Sequence, residues 1–333
     1  MRKFRLKFPR LRADRMAIPA SFFSMVLGLV GLGNCWRVAA KIWHLPIWIS
    51  ESIMLLAVAV WLLLLLLYVS KWLWVKETAL AEFEHPIFYC FVGLVPVSTV
   101  LVALAIAPYA HAIAVALFIV GAIGQLSFSV HCSGQLWRGR QHPETITPVL
   151  YLPTVAGGFI NAIGASTLGY RDWSALFFGA GLFSWLTLES MIMQRLYLLE
   201  ALPKSLRPTL GIQLAPPVVG CVAYLNITSG HPDLFAQILF GYGLLQALIL
   251  LWLLPWLFQQ PFAASSWTFT FGVAALALAS LRFVERGMTG IITSLAVLLF
   301  ISANIVIGSI ALGTVRLLLQ GKLLPPSIPV KVA

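Results

Sequence analysis

Apolar side chains run along this chain in long unbroken stretches, and the charged positions are gathered into short breaks between them. A run such as "VWLLLLLLYV" at 60–69 shows neither the two-residue alternation of a barrel strand nor the single apolar stripe of a helix at a soluble surface. About 20 apolar residues carry a helix across the hydrocarbon core of a bilayer. The breaks predict ten such helices, at 19–43, 47–75, 86–108, 110–134, 149–169, 172–198, 208–228, 233–258, 262–283 and 288–319. The chain is therefore expected to be an all-α polytopic membrane protein, with a tail at 1–18, a ten-helix domain at 19–320 and a second tail at 321–333.

Charge tests this count. Lys and Arg collect on the cytoplasmic side of a membrane protein, and an even number of spans puts both termini on one side. With ten spans, 17 of the 22 Lys and Arg fall on the side of the termini, and only Arg37, Lys41, Arg171, Arg282 and Arg286 fall on the other. Both termini are expected in the cytoplasm, and a miscount by one helix would scramble the asymmetry. The tail "MRKFRLKFPRLRADR" holds seven of these bases. Its position beside a span points to anionic lipid rather than nucleic acid. The apolar run that follows it is interrupted by Pro19 and several glycines and leads into nine more spans, so it reads as a retained first helix rather than a signal peptide.

Odd and even helices differ in character. A proline inside a span frees a carbonyl that lipid cannot satisfy, so such a helix belongs inside a bundle or beside a water-filled cavity. Pro96, Pro153, Pro216 and Pro217 fall in the third, fifth and seventh helices. Small or polar side chains gather in the same set: Ser24, Gly28 and Gly31 in the first helix, Ser98 and Thr99 in the third, Gly157, Gly158 and Asn161 in the fifth. Gln213 and Gly220 follow in the seventh, and Thr268, Thr270 and Gly272 in the ninth. Close helix packing explains any one glycine. Repeated over five helices, the pattern predicts five hairpins, with odd helices around a central pore and even helices outside.

Composition adds to this reading. The chain is 60% hydrophobic and 10% charged, with mean hydropathy +0.93. Cys35, Cys90, Cys132 and Cys221 lie far apart in apolar segments and read as buried packing rather than metal ligands or disulfides. No nucleotide, dinucleotide or zinc motif is present, and the inner stretches carry no Asp, Glu, Lys or Arg at mid-depth. An enzyme is disfavoured, no cofactor is called for, and passage of a solute becomes the leading class. A neutral pore holds ions weakly enough to release them, and the net charge of +11 favours anions. Glu189, on the sixth helix, is the clearest titratable exception; an ion pair with Arg195 or Arg207 is expected there, and a proton relay is the alternative.

The stretches "YLPTVAGGFINA", "FFGAGLFSWLTLE", "LGIQLAPPVVGCVAYL", "FGYGLLQ" and "SSWTFTFGVAALA" resemble the tellurite-resistance/dicarboxylate transporter family, which also contains the plant guard-cell slow anion channel. The likeness runs from about Pro19 to Lys322. It departs from relatives at Ser24, at Gly157-Gly158 and at Ser190. The resemblance implies a homotrimer in a bacterial inner membrane with a separate pore in each protomer. It also implies permeation by small monovalent anions such as chloride or nitrate, a link to tellurite resistance, and a ninth-helix phenylalanine that plugs the pore. Matching "WTFTFG" to the family pattern puts that phenylalanine at Phe271, with Gly272 leaving room for it to move; Trp267 and Phe269 are left to packing or interfacial anchoring. Proton-coupled transport of dicarboxylates or oxyanions is the competing function, with Glu189 as its titratable site.

Overall fold

The computed structural model describes residues 18–139, 142–259 and 261–324, so nearly all of the basic tail lies outside the described residues. Ten helices are long and apolar enough to cross a membrane: α1 (Ala20–Trp43), α2 (Ile47–Trp74), α3 (Phe88–Ile106), α4 (His111–Trp137) and α5 (Pro148–Thr167), then α6 (Arg171–Leu198), α7 (Lys204–Ile227), α8 (Leu234–Leu257), α9 (Ala264–Glu285) and α10 (Ile291–Leu319). No strand occurs among the described residues. Each odd helix packs against the even helix that follows it, giving five hairpins. The odd helices also touch in the order α1, α3, α5, α7, α9 and back to α1, so they close a ring.

Burial follows the ring. In the most apolar stretch of each odd helix 72–83% of residues are buried, against 22–28% in each even helix. Even helices turn bulky side chains such as Leu62, Leu63 and Leu66 outward, where lipid is the matching solvent. Cys35, Cys90, Cys132 and Cys221 are all buried free thiols.

Backbone geometry separates the two sets further. Every odd helix begins, on the side of the termini, with a segment that is not α-helical: 3-10 turns at Ala20–Phe23, Phe88–Gly93, Pro148–Leu150, Lys204–Leu214 and Ala264–Phe269, with a π turn at Leu152–Ala156. The even helices are α-helical along their whole length. A 3-10 segment rises about 2.0 Å per residue and is thinner than an α-helix, so five of them side by side leave space between them. The prolines sit where this geometry changes. Pro96, Pro216 and Pro217 lie in the first turn of the α-helical part of their spans, directly after the 3-10 segment. Pro153 lies inside the π turn, and its carbonyl accepts from Gln125 Nε2 and Ser129 Oγ of α4.

A short polar helix, Lys76–Glu84, follows α2 and falls below the hydropathy of a span. It fastens the start of α1: Glu82 takes the Ala20 N–H at 2.7 Å and Lys71 Nζ at 2.7 Å, while Lys71 also donates to the Ile18 carbonyl at 3.1 Å. Lys71 is 3% exposed, so this ion pair is bound to the fold rather than to water.

The tightest backbone approach joins α5 to α6, where a Cβ placed on Gly158 would lie 2.5 Å from Gly181 Cα. Backbone cannot swing aside as a side chain can. Gly158→Val is expected to lower the unfolding temperature of the detergent-solubilised protein or abolish its accumulation. Gly179→Val, where nothing lies within 4 Å, is expected to leave both unchanged.

Candidate functional site

The ring of odd helices encloses two cavities. One, on the side of the termini, has a volume of about 40 Å3 and is lined by the 3-10, π and first-turn segments, including Ser24, Leu94, Tyr151, Pro216, Trp267 and Thr268. The other, of about 450 Å3, opens on the opposite side between the α-helical halves, with Gly31, Asn34, Arg37, Lys41 and Arg282 among its lining residues. Two residues border both cavities, Val219 of α7 and Phe271 of α9. The Phe271 ring is half-buried. It lies roughly 13 Å in from the start of α9, counting about 2.0 Å per 3-10 residue and 1.5 Å per α residue. A hydrocarbon core is about 30 Å thick, so the narrow point is deep.

Helical spacing explains why α9 aims these groups one way. Phe271, Ala275, Leu278 and Arg282 all line the larger cavity, and steps of four, three and four residues keep them on one face of an α-helix. Opposite the ring, Gly31 of α1 has no side chain, and a Cβ there would stand 3.6 Å from Phe271 Cδ2 and 2.7 Å from Ala274 Cβ. Gly272 does not supply such room. Its missing side chain is filled by Leu214, whose Cβ would lie 3.1 Å from an added methyl.

Of the small, polar, proline and aromatic positions singled out in the sequence, Ser24, Gly31, Pro216, Thr268 and Phe271 line a cavity. The others are placed elsewhere, mostly between helices. Gly28 faces Thr270 and Trp267, Gly157 faces Gln125, and Gly220 faces the Phe159 ring. Pro96 meets α4 at Gly121 and Gly124, and Pro153 is held by α4 as described. Ser98 and Thr99 return their hydroxyls to the Val95 carbonyl, and Asn161 is buried outside both cavities. Small residues mark close helix contact more often than open space, which is why composition alone did not separate the two. Val219 carried no sequence signal, being one valine among many. Trp267 both lines the smaller cavity and donates to Thr314 Oγ1 at 2.8 Å, while Phe269 is packed against Phe258 and Gly211.

Among the described residues Glu189 makes no ion pair, contrary to the sequence expectation. Arg207 instead donates to the Trp256 carbonyl and to Gln259, and lies over the Trp256 ring. The Glu189 carboxyl group is met by four neutral donors from four helices: Tyr151 O–H at 2.5 Å, Tyr242 O–H at 2.6 Å, Trp185 Nε1 at 2.8 Å and Gln213 Nε2 at 3.0 Å. Gln213, expected at the pore, is thus turned to the carboxyl group instead. Tyr151 joins the two sites, since it lines the smaller cavity and donates to Glu189. The aromatic donors lie far apart in sequence, so no local pattern announced the cluster.

At the mouth of the larger cavity Arg37 is fully engaged. Its Nε and Nη2 take the two oxygens of Glu51 at 2.9 and 2.7 Å, and its Nη2 also reaches the Ala105 carbonyl at 3.0 Å. Tyr109 O–H donates to the same carboxylate at 2.6 Å. The conduit is therefore neutral at depth and charged only at its wide end.

A ring of ten membrane-length helices in five hairpins, enclosing two cavities that share Phe271 and Val219, defines a polytopic membrane protein with internal space at both of its sides. The chain belongs to the SLAC1 family, described as voltage-dependent anion channels, which matches residues 17–315. Over 306 residues, covering 92% of each chain, it is 34% identical to the tellurite resistance protein TehA homolog of Haemophilus influenzae. It is 25% identical over 305 residues to the S-type anion channel SLAH3 of Arabidopsis thaliana, and 23% identical over 290 residues to the guard cell S-type anion channel SLAC1 of the same plant. These matches cover 89% and 81% of this chain but only 48% and 50% of the plant proteins. The protein is thus a multi-pass membrane protein of an anion channel and transporter family, and not an enzyme.

The donor set around Glu189 predicts its own mutant. Glu189→Gln puts an NH2 group among four donors and leaves at least one without an acceptor, at a cost of about 1–3 kcal/mol. A lower unfolding temperature in detergent is expected, with a smaller loss for Tyr242→Phe, which removes donor and demand together.

Proposed function

We propose that this chain is an anion channel for small monovalent anions such as chloride and nitrate, in which the Phe271 ring closes the conduit by steric occlusion and dewetting. The observation that carries this reading is the position of Phe271 between the two cavities, where it and Val219 are the shared wall. The absence of fixed charge at that depth suits passage, because a site that held an anion tightly would not release it. Rotation of the ring away from the wall it shares with Val219 would join the cavities.

The same reading places the protein in a bacterial inner membrane with both termini in the cytoplasm, supported by the 17 bases on the side of the termini. There the basic tail rests on anionic lipid. The protein assembles as a homotrimer of independent conduits, and it contributes to tellurite resistance as the name of its Haemophilus relative indicates.

Phe271→Ala, expressed in oocytes or reconstituted in planar bilayers, is expected to carry chloride current about tenfold or more above a nearly silent parent, with Val219→Ala giving a smaller rise. An equally silent Phe271→Ala protein, with surface expression confirmed, would overturn the occlusion.

One contact favours a second reading, proton-coupled transport of a dicarboxylate or oxyanion. Tyr151 connects the smaller cavity to the Glu189 carboxyl group, the one acidic side chain on a transmembrane helix in touch with the cavity wall by hydrogen bond on that side. Flux in liposomes that follows an imposed pH gradient, and is lost in Glu189→Gln, would establish coupling. Flux that follows only the anion gradient supports the channel.

A further inference from the structure

Arg195 is a cation buried without a counter-ion. It stands on α6 in line with Trp185, Leu188 and Ile192, on the buried face of that helix, and is itself 6% exposed. Steps of three and four residues hold the four on one side. Among the described residues it forms no ion pair and its guanidinium makes no hydrogen bond. Charges taken out of water are ordinarily paired, because desolvating a lone one is expensive. Only Nε is fully enclosed, so the two Nη groups are the part that keeps surface, and they make up the end-on edge of the guanidinium.

The hairpin shows what lies across from it. α5 and α6 run antiparallel, with Ser174 Oγ donating to the Ala162 carbonyl at 2.6 Å, Gly181 against Gly158, and Tyr151 O–H on Glu189. Carried on toward the termini, this register sets Arg195 opposite residues 144–147, the approach to α5. Glu144 of that segment is exposed, and it attracts Arg195 without forming an ion pair. Thr147 is buried, and its Oγ1 has no hydrogen-bond partner either. Each side of the junction thus holds a buried donor from which nothing accepts. Depth names the missing acceptor. Arg195 is three residues, about 4.5 Å, from the end of α6, level with the outward-turned Tyr197 and, on α4, Trp137. Aromatic side chains so placed mark the headgroup level of a bilayer, where phosphate is the prevailing anion.

We propose that the two Nη groups of Arg195 bind a phosphate group at the junction of α6 with the segment leading into α5. An end-on guanidinium gives two parallel hydrogen bonds to two phosphate oxygens, and lysine cannot reproduce them. The phosphodiester of an anionic lipid and free phosphate present the same oxygens. The site lies off the conduit and does not depend on what the conduit passes. Residues 144–147 run directly into Pro148–Leu150 and Tyr151, so an occupied site ties down the start of α5 beside the smaller cavity.

The test is thermal unfolding of the full chain, in neutral detergent titrated with inorganic phosphate and in phosphatidylcholine nanodiscs with increasing phosphatidylglycerol. The parent should unfold at a higher temperature as one or both are added; a response to lipid alone assigns the site to the phosphodiester, and a response to both assigns it to phosphate from either source. Arg195→Met should abolish the response and, in phosphate-free detergent, unfold above the parent, because an unpaired buried charge is gone. A side chain that merely held the fold would move that temperature down. Arg195→Lys keeps the charge and should raise the half-saturating level about tenfold. Lys204→Met, at an exposed base on the same side, should leave the response in place. The site is overturned if neither source stabilises the parent, if the Arg195 variants respond as the parent does, or if Lys204→Met loses the response equally. Stabilisation that grows with protein concentration and not with phosphate pairs the charge with a second copy of the chain, and overturns the site as well.

Discussion

A carbonyl released from the α-helical ladder finds no water in hydrocarbon, and this constraint organises the whole molecule. Each odd helix carries a 3-10 or π segment at its end on the side of the termini, and that stretch of backbone must be enclosed by protein or line a cavity. The even helices provide the enclosure, and in one place they do so with side chains: Gln125 and Ser129 of α4 satisfy Pro153 in the π turn of α5. Conduit and outer wall are consequently two parts of one solution. The irregular backbone lines the smaller cavity, and the regular helices make that backbone tolerable in lipid.

Electrostatics follow the same division of depth. Among the residues lining the two cavities, the charged ones lie at the wide end, where Arg37 and Arg282 are paired with Glu51 and Glu285 at distances of 2.6–2.9 Å. Nearer the narrow point the lining is aliphatic and aromatic. The one deep carboxyl group, Glu189, is kept off the axis on α6 and is reached through Tyr151. The charged lining of the wide cavity and the apolar lining of the smaller one are separable properties, set by different residues.

Most of the fold was legible in the sequence because hydropathy and the placement of Lys and Arg are properties of the bilayer, read one helix at a time. The ring of odd helices was also legible, since proline and small residues are tolerated only where other helices surround them. The site was legible in part. Phe271 came from the family motif, while Ser24 and Pro216 came from depth and polarity. Gly28, Gly157 and Gly220 were read as lining and instead permit contacts with Thr270, Gln125 and Phe159, because a glycine signals closeness without saying to what. The Glu189 cluster depends on side chains brought together from two hairpins, α5–α6 and α7–α8, and no spacing along one helix encodes it.

Four of the five contacts in the inner ring join odd helices that are also linked through the even helix between them. The fifth, between α1 and α9, joins the first and last hairpins, and no odd-to-odd chain connection through one even helix crosses it. There the ring is held by non-covalent contact: Gly31 against Ala274, Gly28 against Thr270, Cys35 Sγ against the Ala274 carbonyl at 3.2 Å, and α10 bridging through Asn304, which accepts from Trp36 Nε1 at 2.8 Å. The molecule is a covalently open ring with a zipped seam, and Phe271 sits on that seam. Any change in the spacing of the first and last hairpins acts on the narrowest point directly, without having to travel through the rest of the fold.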